Sequence, residues 1–125
     1  MNIPRSFILV GGLYLIVGIS IGMHMGATGN HAAAPAHAHI NLLGFTLMTV
    51  FGLVYKVFPA MAEGRLAVIH FALHLVGSLV LLVMLYMLVT GRITEAAMVP
   101  LAPIAEAFVL LGVVIFVWNA FRNVR

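Results

Sequence analysis

A chain of 125 residues makes one domain at most. With 64% apolar residues and only six basic and three acidic side chains, it cannot cover itself with a water-compatible surface, so its solvent is a bilayer. The net charge of +3 comes from basic residues scattered singly, which excludes a nucleic-acid patch, and the lack of cysteine excludes disulfides and thiolate chemistry. Six histidines are then the main chemical resource, with eight methionines a softer second one.

Four apolar segments are predicted to span, over residues 7–23, 36–58, 66–89 and 102–121. Each is near the ~20 residues that cross ~30 Å of hydrocarbon as a helix. Breakers fill the connectors: Gly26, Gly29 and Pro35, then Pro59 and Gly64, then Gly91, Pro100 and Pro103. The expected fold is an all-α integral membrane four-helix bundle or arc, one domain over 1–125. The first segment has the basic flank of a signal peptide in Arg5 and small residues at Ala32-Ala33-Ala34. Its apolar run exceeds the ~7–15 residues of a signal core, so it is read as an uncleaved span. Gly18, Gly22 and Gly26 repeat every fourth residue along it, a face for close helix packing either within the chain or between copies.

Arg5, Lys56, Arg65, Arg122 and Arg125 fall on one side of this layout and only Arg92 on the other. The positive-inside rule then puts both termini in the cytoplasm and the histidine-rich first loop outside, as in a bacterial inner membrane.

The second segment opens on Pro35-Ala36-His37-Ala38-His39-Ile40-Asn41. Two imidazoles and a carboxamide at the mouth of a span are costly unless bound, so the cluster is a functional-site candidate. On a helix His37 and His39 diverge by about 200° and so address different neighbours. Asn41 shares the His37 face, and Gly44, Met48, Gly52 and Tyr55 continue that stripe.

His70 and His74 do share a face, with Ser78 continuing their row. Such a pair either grips one metal or is buried with hydrogen-bonded partners. Helical rise sets His70 about 18 Å and His74 about 12 Å below His39, too far for one ion to join the two clusters. Met23-His24-Met25 offers thioether and imidazole, which suit copper. His31 reads as a solvated loop residue. Glu106 is the acid placed within a span, free to pair with Arg92 or a histidine or to relay protons.

The stretch from the histidine cluster through Gly44-Phe45, Tyr55-Lys56-Val57-Phe58-Pro59 and Arg65-Leu66 to His70-Phe71 resembles the catalytic subunit of the haem-copper oxidases and nitric-oxide reductases. In that family a His-x-His at the outer end of a helix sends its imidazoles to two different haems, and twelve helices form three arcs of four. This chain resembles one arc. The resemblance implies b-type haem held by His37 and His39, with Asn41 and Arg92 in the cofactor set. It implies oxidoreductase-like chemistry, but the adjacent histidine pair of the family's copper site is missing.

The function expected is that of a haem-binding membrane protein serving electron transfer, haem handling or gas sensing, with a redox protein as partner. The rivals are a copper-handling or metal-binding protein using Met23, His24, Met25, His31, His37 and His39, and a cofactor-free assembly partner of a respiratory oxidase. Because His37 and His39 diverge, one chain cannot clamp a haem with both. His39 of one copy and His37 of the next can, and three copies in a head-to-tail ring restore twelve helices. Gly18 and Gly22 are candidates for that seam, and His24 is the alternative second ligand within one chain. For topology, reporter fusions at Asn30, Gly64 and Gly91 should read outside, inside and outside; an outside signal at Gly64 would overturn it.

Overall fold

The computed structural model describes residues 1–124. Arg125, counted above among the basic residues of one side, lies outside the described residues. The described chain is helical, without a strand, and four of its helices are long and apolar enough to cross a bilayer: α1 (Ile3–Thr28), α2 (Ala34–Val57), α3 (Arg65–Val89) and α4 (Leu101–Asn123). One end of the molecule carries the chain termini and the α2–α3 connection; the other carries the histidine-rich α1–α2 loop.

Helix α1 outruns the predicted 7–23 at both ends. At its start the Asn2 side chain accepts a hydrogen bond from the Arg5 backbone N–H at 3.1 Å, and Pro4 sits in the first turn, where no intrahelical donor is needed. At its end Gly29 takes a left-handed φ of 68° and donates its N–H to the Met25 carbonyl. Apolar content marks the part of a helix that lies in hydrocarbon; capping groups decide where it stops. The other three spans match their predicted ranges within two residues at each end.

Helix α2 is continuous but not uniform. Ile40–Thr46 forms a π-helical turn within it, and the Thr46 hydroxyl donates to the Asn41 carbonyl at 2.9 Å. Such wide turns insert a residue into an α-helix and occur most often at functional sites.

The helices pack as two hairpins, α1 on α2 and α3 on α4, with α2 and α3 meeting between them. In lipid no hydrophobic drive brings helices together, so close backbone approach matters. Glycines provide it. A Cβ at Gly44 would lie 2.5 Å from Cγ of Tyr14, and one at Gly77 would lie 2.8 Å from the Ala105 carbonyl oxygen.

The hairpins join at an aromatic cluster toward the terminal end. Phe7 of α1, Phe51 and Tyr55 of α2 and Phe116 of α4 all pack around His70 of α3, with ring centres 4.5–5.9 Å away. Outside that core the polarity is inverted relative to a soluble bundle: Leu9, Leu13, Val50, Leu53, Val76, Leu110 and Val117 are exposed, as a lipid-facing surface requires.

Gly77→Ala should therefore destabilise the fold by about 1–3 kcal/mol, since the new methyl meets backbone as well as side chain. Gly12→Ala meets nothing within 4 Å and should be neutral or stabilising. Thermal unfolding in detergent micelles separates the two; equal midpoints would contradict the packing described.

Candidate functional site

Pro35 in the first turn of α2 starts the helix, and the two histidines that follow have their rings set by backbone carbonyls. His37 Nδ1 lies 2.8 Å from the Gly18 carbonyl of α1, and His39 Nδ1 lies 2.8 Å from the Pro35 carbonyl of its own helix. A carbonyl only accepts, so each Nδ1 must carry the proton. Each Nε2 is then left with its lone pair, the form in which histidine binds metals.

The predicted divergence of the two rings is present. His39 is exposed on the surface of α2, while His37 is half-buried in the α1–α2 seam. Gly22 makes room for the His37 ring, its notional Cβ being 3.0 Å from Cε1, and the missing Cβ of Gly18 is where Asn41 Oδ1 packs. The glycine face considered above for a seam between copies is thus occupied inside the chain, and only Gly26 of the three faces open space. Asn41 donates its amide to His37 Nε2 at a long 3.4 Å, and its Oδ1 is buried without a partner.

The other candidate residues sit apart from this pair. His24 is exposed, and it shares a small cavity of about 90 Å³ with the buried Met25, Tyr86 and Thr90. Met23 points away and is 71% exposed. Among the described residues no three His, Asp or Glu side chains converge as a metal-binding group. His31 bonds the Gly29 carbonyl through Nδ1 at 3.1 Å. Arg92 lies over the Tyr86 ring at 5.4 Å, and Glu106 is exposed on α4.

A second polar group runs through the bundle interior. His70, His74 and Ser78, one per turn of α3, are fully buried. His70 Nδ1 is 3.0 Å from the Tyr55 hydroxyl of α2. His74 Nε2 is 3.1 Å from the Leu43 carbonyl in the π-turn, and Ser78 Oγ is 2.8 Å from the Tyr14 hydroxyl of α1. Nearer the terminal end, Asn119 of α4 donates to the Met61 carbonyl at 2.9 Å.

The His70–His74 pair therefore has partners on other helices, as one of the two readings of their spacing supposed. Its depth differs from the rise-based estimate. Leu43 is four residues from His39, or about 6 Å along the helix, so the His74 ring sits much closer to the histidine cluster than the ~12 Å inferred from helical rise. The earlier figure treated the helices as parallel with aligned ends and ignored the reach of the side chain.

Tyr14, Asn119 and the π-turn were not singled out from sequence. Tyr14 had a signal, since it lies on the face of Gly11 and Gly18. Asn119 had one as well, being an amide inside an apolar span. No family model, curated protein or solved structure matches this chain.

Tyr14→Phe removes the hydroxyl from Ser78, which keeps a bond to the Leu75 carbonyl at 3.3 Å. The cost should stay near 0.5–1.5 kcal/mol, roughly one hydrogen bond. Asn119→Leu strands a buried carbonyl and should cost more, about 1–3 kcal/mol. The order of the two unfolding midpoints in detergent checks this.

Proposed function

We propose that this chain is a b-type haem-binding membrane protein related to the catalytic subunit of the haem-copper oxidases, used for electron transfer. One observation carries the reading: both imidazoles of the His-x-His pair give their Nδ1 protons to backbone carbonyls, leaving two Nε2 lone pairs at one end of the bundle. Such a tautomer, fixed by a carbonyl, is what an iron-ligating histidine needs.

His39 fits the role directly, because its ring is exposed and its Nε2 has no partner. His37 fits with one adjustment, since the Asn41 amide leans on its Nε2 at 3.4 Å. The buried, unpartnered Oδ1 of that same amide shows a polar cluster whose bonds are incomplete in the bare chain. Asn41 would then orient His37, and Arg92 is the cation at this end available to the haem carboxylates. Haem with two nitrogen ligands supplies one-electron transfer. His37 and His39 address opposite sides of α2, so the second ligand to a haem on His39 comes from another copy, in a ring proposed to be threefold. The bundle lies in the membrane with the histidine loop on the outer side.

The copper reading has its own support in the cavity shared by His24 and Met25. Haem titration of the full chain in mild detergent separates the two. A sharp Soret band and a dithionite-dependent α band are expected, lost in His39→Ala and retained in His24→Ala, with the mass of a trimer. A colourless protein that retains copper would overturn the haem reading, and a haem-replete monomer would overturn the ring.

A further inference from the structure

The buried pair His70 and His74 is not used by the proposal above, yet each ring has one nitrogen bonded and one free. His70 Nε2 and His74 Nδ1 are fully buried without partners, and the ring centres are 6.0 Å apart. Unpaired polar atoms inside a bilayer are costly, and a single water between two of them satisfies both. Room exists on the α4 side: a Cβ built at Gly112 lies 3.4 Å from His70 Cδ2 and 3.6 Å from the His74 backbone nitrogen, at ordinary contact distance. A methyl-sized space therefore borders the His70 ring and the backbone of His74.

The pair is also connected to the terminal end. A polar cavity of about 310 Å³ there is lined by Asn2, Lys56, Glu63 and Tyr55. The hydroxyl of Tyr55 reaches His70 Nδ1 at 3.0 Å. Toward the other side the chemistry stops. The Leu43 carbonyl holds His74 Nε2 as an N–H donor, which leaves Nδ1 as the basic atom. An amide carbonyl does not take a proton onward.

We infer that Tyr55, His70 and His74 form a proton relay that carries a proton from the terminal-end cavity to His74 Nδ1 beneath the π-turn. In the forward step the Tyr55 O–H bond breaks as the His70 Nδ1–H bond forms. The His70 Nε2 proton passes to the bridging water, and that water gives one of its own to His74 Nδ1. A hydronium ion in the cavity re-protonates Tyr55 and is left as water. One proton moves, no electron does, and His70 resets when its ring turns over or the proton returns.

The groups facing the pair are Phe7 from α1, Phe51 and Tyr55 from α2 and Phe116 from α4, none of them charged. Lys56 and Glu63 are the charged side chains that line the entrance. An imidazolium in that setting is expensive, which makes the loaded state a passing one, strengthened while it lasts by its bond to the Leu43 carbonyl. The relay does not depend on haem.

The test uses the full chain, ring-¹⁵N-labelled at histidine and embedded in bilayers, with solid-state NMR following deuterium exchange at the two buried rings after transfer to D₂O. Both rings should exchange. Tyr55→Phe should slow exchange at both by about tenfold or more, the worth of one hydrogen-bonded step in rate, with helix content unchanged. Gly112→Ala, which fits without clash, should slow it at His74 by filling the place of the water, and it decides the matter if Tyr55→Phe does not fold. Tyr14→Phe should leave both rates alone. Rings protected from exchange in the parent chain, or rates unmoved by Tyr55→Phe or Gly112→Ala, would overturn the relay. Slowing by Tyr14→Phe instead would overturn its direction.

Discussion

The rest of the structure depends on a row of three polar side chains on α3. In lipid every polar group must find its partner inside the protein. His70, His74 and Ser78 each find one on another helix: Tyr55 and the Leu43 carbonyl on α2, and Tyr14 on α1, with the second nitrogen of each histidine left over. Each bond fixes the height of α3 against a different point, so together they set its rotation and its vertical register. Apolar contacts alone would not, because one leucine face slides past another at little cost. The rings around His70 and the Gly77–Ala105 approach add packing, but the polar row supplies the alignment.

The π-turn is the local adjustment that lets this row and the histidine cluster share one helix. In a regular α-helix the Leu43 carbonyl would be committed to the amide four residues on. In the Ile40–Thr46 turn the ladder widens, the Thr46 hydroxyl closes on the Asn41 carbonyl, and the Leu43 oxygen is able to receive His74. Asn41 belongs to that same turn and touches His37. His74 and the His-x-His pair therefore both contact this one turn of α2, two residues apart, at Leu43 and Asn41.

Much of this was legible in the sequence where one physical rule governs one feature. Apolar length placed all four spans, and helical angle alone predicted that His37 and His39 would part company. It also predicted that Gly44, Met48, Gly52 and Tyr55 would share one stripe, and all four are buried. The rule failed where two elements had to be placed against each other. The rise per residue gives heights along each helix but no stagger between them, so His74 came out about one turn too far from the cluster. Gly18 and Gly22 announced close packing without naming the neighbour, which is α2 of the same chain. The π-turn has no signature in Ile40–Thr46 beyond its polar flanks, since it exists to satisfy a tertiary bond. Tyr14 is visible only once Ser78 is known to face it.

Backbone carbonyls sort the histidines by tautomer, and the sorting follows position. At the histidine-loop end the carbonyls of Gly18 and Pro35 claim Nδ1 and leave Nε2, the ring nitrogen farthest from the main chain and most accessible to a large planar ligand. In the bundle interior the Leu43 carbonyl claims Nε2 of His74 and leaves Nδ1, fully buried close to its own helix. The same side chain thus presents a free Nε2 at the surface and a free Nδ1 in the core. The two assignments share no side chain and touch different carbonyls, so either can fail without the other. What links them is the short run from Asn41 to Leu43, where one turn of α2 serves both.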